Sequence, residues 1–150
     1  MSDVEERIHV DAPADRVWSL VGDPTRIGEF SPEMYRATWR RGSTLGVGAR
    51  FIGRNRRGWH RWQTFCTVVT HEPLREVAWD VSLVLPIARW GYRVEPDPAG
   101  GCTVVESFDD RRWRILKPLS VPIRGLYDAP KHNRIGMQAT LARIKQVAES

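Results

Sequence analysis

The stretch HVDAPADRVWSLVGDPTRIGEFSP, His9 to Pro32, leaves a strand, makes a short helix, stops, makes a shorter one and stops again. Each break is written in residues of definite conformational meaning. Upstream, Val4, Glu6, Ile8, Val10 and Ala12 alternate with Glu5, Arg7, His9 and Asp11 as in a half-buried strand, with one charge, Glu6, in the inward set. Pro13 suits the first turn of a helix, where its missing N–H is not needed. Val17, Leu20 and Val21 then fall on one face, with Trp18 beside them. Gly22 is expected to end this helix in the left-handed conformation and Asp23 to cap the next. Pro24 again occupies a first turn before Ile27 and Phe30 bury themselves, and Ser31-Pro32 closes the second helix. Set between the first and second strands, two such short helices form a V-shaped support that cradles another element.

Working outward, the signal is strand after strand. MYRATWRRG (34–42) is followed by ARFIGRNRRGWHRWQTFCTVVTHEP (49–73), in which the glycines and the basic tip NRRG mark a hairpin. Val77, Trp79, Val81 and Leu83 alternate, as do Trp90, Tyr92 and Val94, and then Val104, Glu106 and Phe108. PDPAGG (96–101) between the last two runs is a turn. This is an antiparallel meander. Near the end, Asn133, Met137, Thr140, Leu141, Ile144 and Ala148 share one helical stripe, and Asp128 with Pro130 supplies a start signal. The longest helix is last, and at about six turns it is the one element able to cover the apolar face of the sheet.

Length and composition fit this scheme. A chain of 150 residues is the usual size of one domain, able to bury roughly 70% of the surface its unfolded form exposes. No apolar run approaches the roughly 20 residues of a bilayer crossing, and the opening MSDVEERIHV lacks the layout of a secretion signal, so a cytoplasmic protein is expected. Cys66 and Cys102 stand alone in strand-like runs, without metal-ligand spacing, and read as buried free thiols. The formal charge of +5 rests on 20 Arg against 3 Lys, a skew that more often reflects genome composition than a nucleic-acid partner. No RNP-like motif, zinc-finger spacing or helix-turn-helix pattern accompanies it, so no nucleic-acid partner is expected.

The order β-α-α-β6-α, carried by IHVDAPADRVWSLVGDPTRIGEFSP, VGARFIGRNRRG, VTHEPLREVAWDV, YRVEPDPAGGCTVVES and NRIGMQATLARIK, resembles the helix-grip fold of the START-like superfamily. The nearest branch is that of polyketide cyclases, dehydrases and lipid-transfer proteins, often called SRPBCC. The resemblance spans nearly the whole chain and implies one α+β domain over residues 1–150. About seven antiparallel strands would form a curved sheet wrapped around a long C-terminal helix. It further implies an elongated cavity between sheet and helix for a lipid, polyketide or similar apolar small molecule; separately, no motif in the sequence calls for a cofactor, and none is expected. The shared positions are mainly turns and packing residues, and none is a catalytic signature.

The residues here permit such a cavity. Trp62, Trp79 and Trp90, among seven tryptophans, alternate so that they can face one interior. Phe30, Phe51, Tyr92, Phe108 and Met137 join them as candidate wall, although each aromatic alone also serves as ordinary core. Polar groups aimed inward are sharper pointers, because an unpaired buried polar group costs a few kcal/mol. Glu106 leads, in phase with Val104 and Phe108: desolvation would raise its pKa and suit it to acid, base or hydrogen-bonding work, with Tyr92 as its candidate companion. Its alternative is a buried ion pair with Arg93 or Arg134. Asn133 is either a second ligand contact or a helix-start residue bonded to backbone. Asn55 is either a third or part of the hairpin turn.

Other features exclude more than they suggest. His9, His60, His71 and His132 are scattered and read as solvated. There is no G-x-S-x-G or H-E-x-x-H, and GSTLGVG (42–48) lacks the Lys-Ser/Thr of a P-loop. Asp109 and Asp110 are adjacent on a strand and point to opposite faces, so no metal site is expected. RRWRILKPLSVPIRGLY, Arg111 to Tyr127, mixes five positive charges with apolar residues. It reads as a flap over the cavity or as a transient contact with an anionic membrane. Two function classes follow: a carrier or binding module for an apolar small molecule, and a cyclase or dehydrase using the same cavity.

Overall fold

The computed structural model describes residues 4–83, 86–111 and 129–150. Strand β1 (Val4–Val10) leads through the break at Pro13 into helix α1 (Ala14–Val21), followed by a 3-10 helix (Pro24–Glu29). Strands β2 (Met34–Trp39), β3 (Arg50–Arg57), β4 (His60–Glu72), β5 (Glu76–Ser82), β6 (Pro86–Pro96) and β7 (Cys102–Asp110) come next, and helix α2 (Ala129–Glu149) is last. Apart from Arg111, the basic and apolar stretch 111–127 lies outside the described residues, as does the start signal at Asp128.

The seven strands form one antiparallel sheet in the order β1-β7-β6-β5-β4-β3-β2. β2 to β7 are a meander, and β1 closes against β7 with Val4 opposite Phe108, Glu6 opposite Glu106 and Val10 opposite Cys102. Register shifts at Val68/Thr70 and Val81/Ser82 put extra residues into the ladders of β5, and such bulges bend a sheet. Together with α2 this is the helix-grip α+β fold. α2 packs mainly on β1 and β7 and touches α1. Met137, Thr140, Leu141, Ile144 and Ala148 form its buried stripe.

The opening stretch punctuates the chain as expected, with two differences. Pro13 lies just before the helix, in extended conformation, instead of inside its first turn. Gly22 ends α1 at φ −72°, in right-handed space; a glycine stands there because a Cβ would come within 2.4 Å of the Trp18 ring. Asp23 caps the 3-10 helix, its side chain accepting from the Thr25 amide at 2.9 Å and hydroxyl at 2.6 Å. Ile27 and Phe30 are buried, as are Val17, Leu20 and Val21. The support is tied to the last helix: Arg16 donates to the carbonyls of Ala148 at 2.7 Å, Ser150 at 3.3 Å and Val147 at 3.4 Å.

Further corrections concern parity and turns. Leu83 lies past the end of β5 and is 46% exposed, so the inward alternation stops at Val81. β3 runs through NRR, and the hairpin turns at Gly58, whose φ of +62° suits a residue without a side chain. His71 is half-buried, its ring 6.3 Å from that of Trp18, while His9 is exposed and paired with Asp97 at 2.6 Å. The side chain of His132 lies outside the described residues. Cys66 and Cys102 are free and buried.

Candidate functional site

Period-2 alternation on a bent sheet sends one set of side chains toward α2, and between them lies a cavity of about 630 Å³. Trp62 and Cys66 reach it from β4, Trp79 from β5, Trp90 and Tyr92 from β6, and Glu106 and Phe108 from β7. Asn133, Met137 and Thr140 face it from α2, and Ile27 from the 3-10 helix. Arg56, Arg57 and Gly58 line it at the β3–β4 hairpin.

Of the residues singled out in the sequence, Trp62, Trp79, Trp90, Tyr92, Phe108 and Met137 are on the cavity wall, with the polar Asn55, Glu106 and Asn133. Phe30 and Phe51 are not. Both are buried in the core behind it, where Phe51 meets Trp39 edge-on at 5.6 Å and Trp79 at 6.0 Å. The rings continue inward, Trp79 stacking on Tyr92 at 5.9 Å and Trp90 meeting Phe108 at 4.8 Å. Met34, Thr64, Cys66, Ile87 and Thr140 also line the cavity and were not singled out as site residues. Thr64 and Cys66 share parity with Trp62, and Thr140 lies on the helical stripe, so the signal for these three was present.

Glu106 is 3% exposed and bonds to neither arginine proposed for it. The Tyr92 hydroxyl donates to its Oε1 at 2.7 Å, while Oε2 is buried and without a hydrogen-bond partner among the described residues. Arg93 turns to Glu95 at 2.8 Å and Glu5 at 3.9 Å, and Arg134 pairs with Glu6. Burial pushes the Glu106 carboxyl up to about 8; the Tyr92 bond opposes this and the Glu6 charge adds to it. Tyr92 is raised well above its ordinary value, first by its own burial and then by Glu106.

A second polar group lies on β3 and β4. Asn55 is buried within β3, not in the turn, and its Nδ2 donates to Thr64 Oγ1 at 3.2 Å. Thr64 in turn reaches the Gly53 carbonyl at 3.5 Å. Burial pushes the Cys66 thiol up to about 12, so it is not a ready nucleophile. Among the described residues no group of three or more His, Cys, Asp or Glu could hold a metal ion, and Asp109 and Asp110 face opposite sides of β7. No helix among them is long and apolar enough to cross a membrane.

An antiparallel sheet gripping a helix over a cavity of this kind defines a cyclase/dehydrase-like, ligand-binding fold. The chain belongs to the family described as polyketide cyclase / dehydrase and lipid transport, whose model matches residues 1–149. Among solved structures it is similar to a Polyketide_cyc-like protein, Cgl2372 of Corynebacterium glutamicum, with 28% identity and a TM-score of 0.66 over 96% of this chain and 89% of that one. XoxI of Bacillus cereus shares the fold at 13% identity and a TM-score of 0.73, over 99% of this chain and 96% of that one. The di-domain ARO/CYC BexL from the BE-7585A biosynthetic pathway shares it at 18% identity and a TM-score of 0.67, over 98% of this chain and 50% of BexL. No curated protein matches the chain.

Proposed function

We propose that the protein, acting as one domain over residues 1–150, binds and carries an apolar small molecule of the lipid or polyketide kind in the cavity between sheet and α2. The observation that carries this reading is the cavity itself: about 630 Å³, walled largely by Trp79, Trp90, Phe108, Met137 and their neighbours. Pockets of several hundred Å³, mostly apolar with a few placed polar groups, are the usual form of small-molecule sites. Trp62, Tyr92, Asn55, Glu106 and Asn133 are the contacts we assign to the ligand beside that wall. The two free buried cysteines agree with a reducing compartment, and we place the protein in the cytoplasm on that basis. Residues 111–127 are assigned to the ligand's entry, as a flap or as a brief contact with a membrane surface.

The test is native mass spectrometry of the purified protein, with extraction and identification of the bound molecule. An adduct lost on extraction and restored by the extracted compound supports the reading. Trp79→Ala and Met137→Trp variants that stay folded yet bind it unchanged would overturn it.

A second reading, a cyclase or dehydrase, is favoured by one observation: Glu106 and Tyr92 are coupled by a 2.7 Å hydrogen bond on the cavity wall. The similarity to BexL, an ARO/CYC protein by its description, supports it. In that case Glu106, oriented by Tyr92, moves a proton on a chain folded by the pocket.

A further inference from the structure

The surroundings of Glu106 narrow the chemistry a ligand can present to this wall, and the inference rests on the binding reading above. We propose that Glu106 is a hydrogen-bond donor through Oε2, and that the cavity selects apolar ligands carrying a neutral acceptor oxygen, a carbonyl above all, over carboxylates and amines.

Every described element packed around Glu106 bears on this. From β6, the Tyr92 hydroxyl donates a hydrogen bond to Oε1. From β1, the residue directly opposite is Glu6, a second carboxylate, whose charge is taken up by Arg134 of α2. Arg93, beside Tyr92 on β6, has the opposite parity and turns to Glu95 and Glu5. From α2, Thr140 donates its hydroxyl to the Gly136 carbonyl at 2.9 Å. Among the described residues Glu106 therefore has a single protein partner and no cation. An ionised carboxyl in this place would be a buried anion facing another acid, and such groups keep their proton instead.

With Oε1 accepting from the Tyr92 hydroxyl, the acid's own proton sits on Oε2. That atom is buried, has no acceptor among the described residues, and belongs to a side chain on the cavity wall. A ligand's carbonyl oxygen completes the bond. A ligand carboxylate brings an uncompensated charge to a site with Glu6 nearby, and an amine meets a donor where it needs an acceptor. Burial holds the Glu106 pKa at about 8, so the donor is present at neutral pH and is lost above it.

The experiment uses four naphthalene probes of nearly equal size: acetylnaphthalene, ethylnaphthalene, naphthoate and naphthylmethylamine. Each is titrated by tryptophan fluorescence into the wild type, Glu106→Gln and Glu106→Leu. In the wild type near neutral pH the ketone should bind about tenfold tighter than the ethyl compound, the worth of one good hydrogen bond. Naphthoate should bind more weakly than the ketone. The preference should fade as pH passes the Glu106 pKa. Glu106→Gln, whose amide keeps a donor, should hold the preference at every pH, and Glu106→Leu should lack it. An amine that binds tighter than the ketone at neutral pH, or a ketone preference that is pH-independent in the wild type, overturns the proposal. Should Glu106→Leu fail to fold, the pH profiles of the wild type and Glu106→Gln still decide. If ethylnaphthalene binds but the ketone gains nothing, this inference alone fails. If no probe binds, the cavity reading fails with it.

Discussion

Replacing Glu106 with glutamine tests the neutral carboxyl through stability, with no ligand involved. Burial holds its pKa at about 8 in the folded chain, against an ordinary 4.5. Below the lower value both states carry the proton, and the folded state suffers no penalty. Between the two values the unfolded chain releases its proton while the folded chain keeps it, so stability falls as pH rises. Each pH unit in this window is worth about 1.4 kcal/mol. From about pH 5 to about pH 8 the wild type should therefore lose about 3 to 4 kcal/mol relative to Glu106→Gln, and the difference should level off above that. Glutamine is nearly isosteric, and its amide oxygen still accepts from Tyr92. Urea unfolding of both proteins across this range, plotted as the difference between them, cancels titrations the two share. A flat difference, or one in which the variant loses ground as pH rises, would show that Glu106 is ionised in the fold and would refute the reasoning.

Other substitutions test the packing. Trp79→Ala removes a ring that stacks on Tyr92 and meets Phe51 edge-on; it should cost about 3 to 5 kcal/mol, read as a lowered melting temperature. Gly22→Ala puts a methyl group within 2.4 Å of the Trp18 ring, and should destabilise by about 1 to 3 kcal/mol, with Trp18→Ala in the same chain relieving the strain term. Arg16→Ala removes the donor to three carbonyls at the end of α2. A loss of about 1 to 2 kcal/mol, with faster amide exchange confined to the last turn of α2, is expected.

The sheet was legible because its strands obey a period of two, and Glu106 was placed inward by Val104 and Phe108 alone. Tyr92 was a candidate companion for it, but that the two bond directly was not fixed by parity. Tyr92 and Glu106 meet because β6 and β7 pair in one particular register, which sets Tyr92 opposite Glu106; that register depends on the turn between them more than on either strand. Parity could have removed Arg93 as a candidate, since it alternates with Tyr92 and must face the other way. Phe30 and Phe51 show a different limit: inward is not the same as cavity-facing, and depth within a core depends on which larger rings stand in front. Gly22 has a definite reason to be glycine, but that reason is a contact with the Trp18 indole, which no local rule of helix termination contains. Asn55 was drawn toward the turn by the glycine and arginines after it, whereas the strand simply continues to Arg57.

The half-satisfied state of Glu106 also separates the two functional readings. A purely structural role would be served better by an apolar side chain filling the space between Val104 and Phe108, because a polar pair with one unmet atom destabilises a core. The unmet atom belongs to a side chain that lines the cavity, and on the proposal above its use lies with the ligand. A carrier needs only the hydrogen bond, which an amide supplies as well as a neutral acid. A cyclase or dehydrase needs the proton itself to leave Oε2 for the ligand oxygen, and an amide has no proton to give at ordinary pH. Glu106→Gln is therefore expected to keep affinity for the molecule extracted from the wild-type protein under either reading. Only the wild type, incubated with a polyketone chain, would change the substrate's mass or ring count if the protein is an enzyme. Conversion by the wild type that is lost in Glu106→Gln at unchanged affinity establishes chemistry. Release of the ligand chemically intact from both leaves the carrier, and conversion that persists in Glu106→Gln removes Glu106 from any catalytic role.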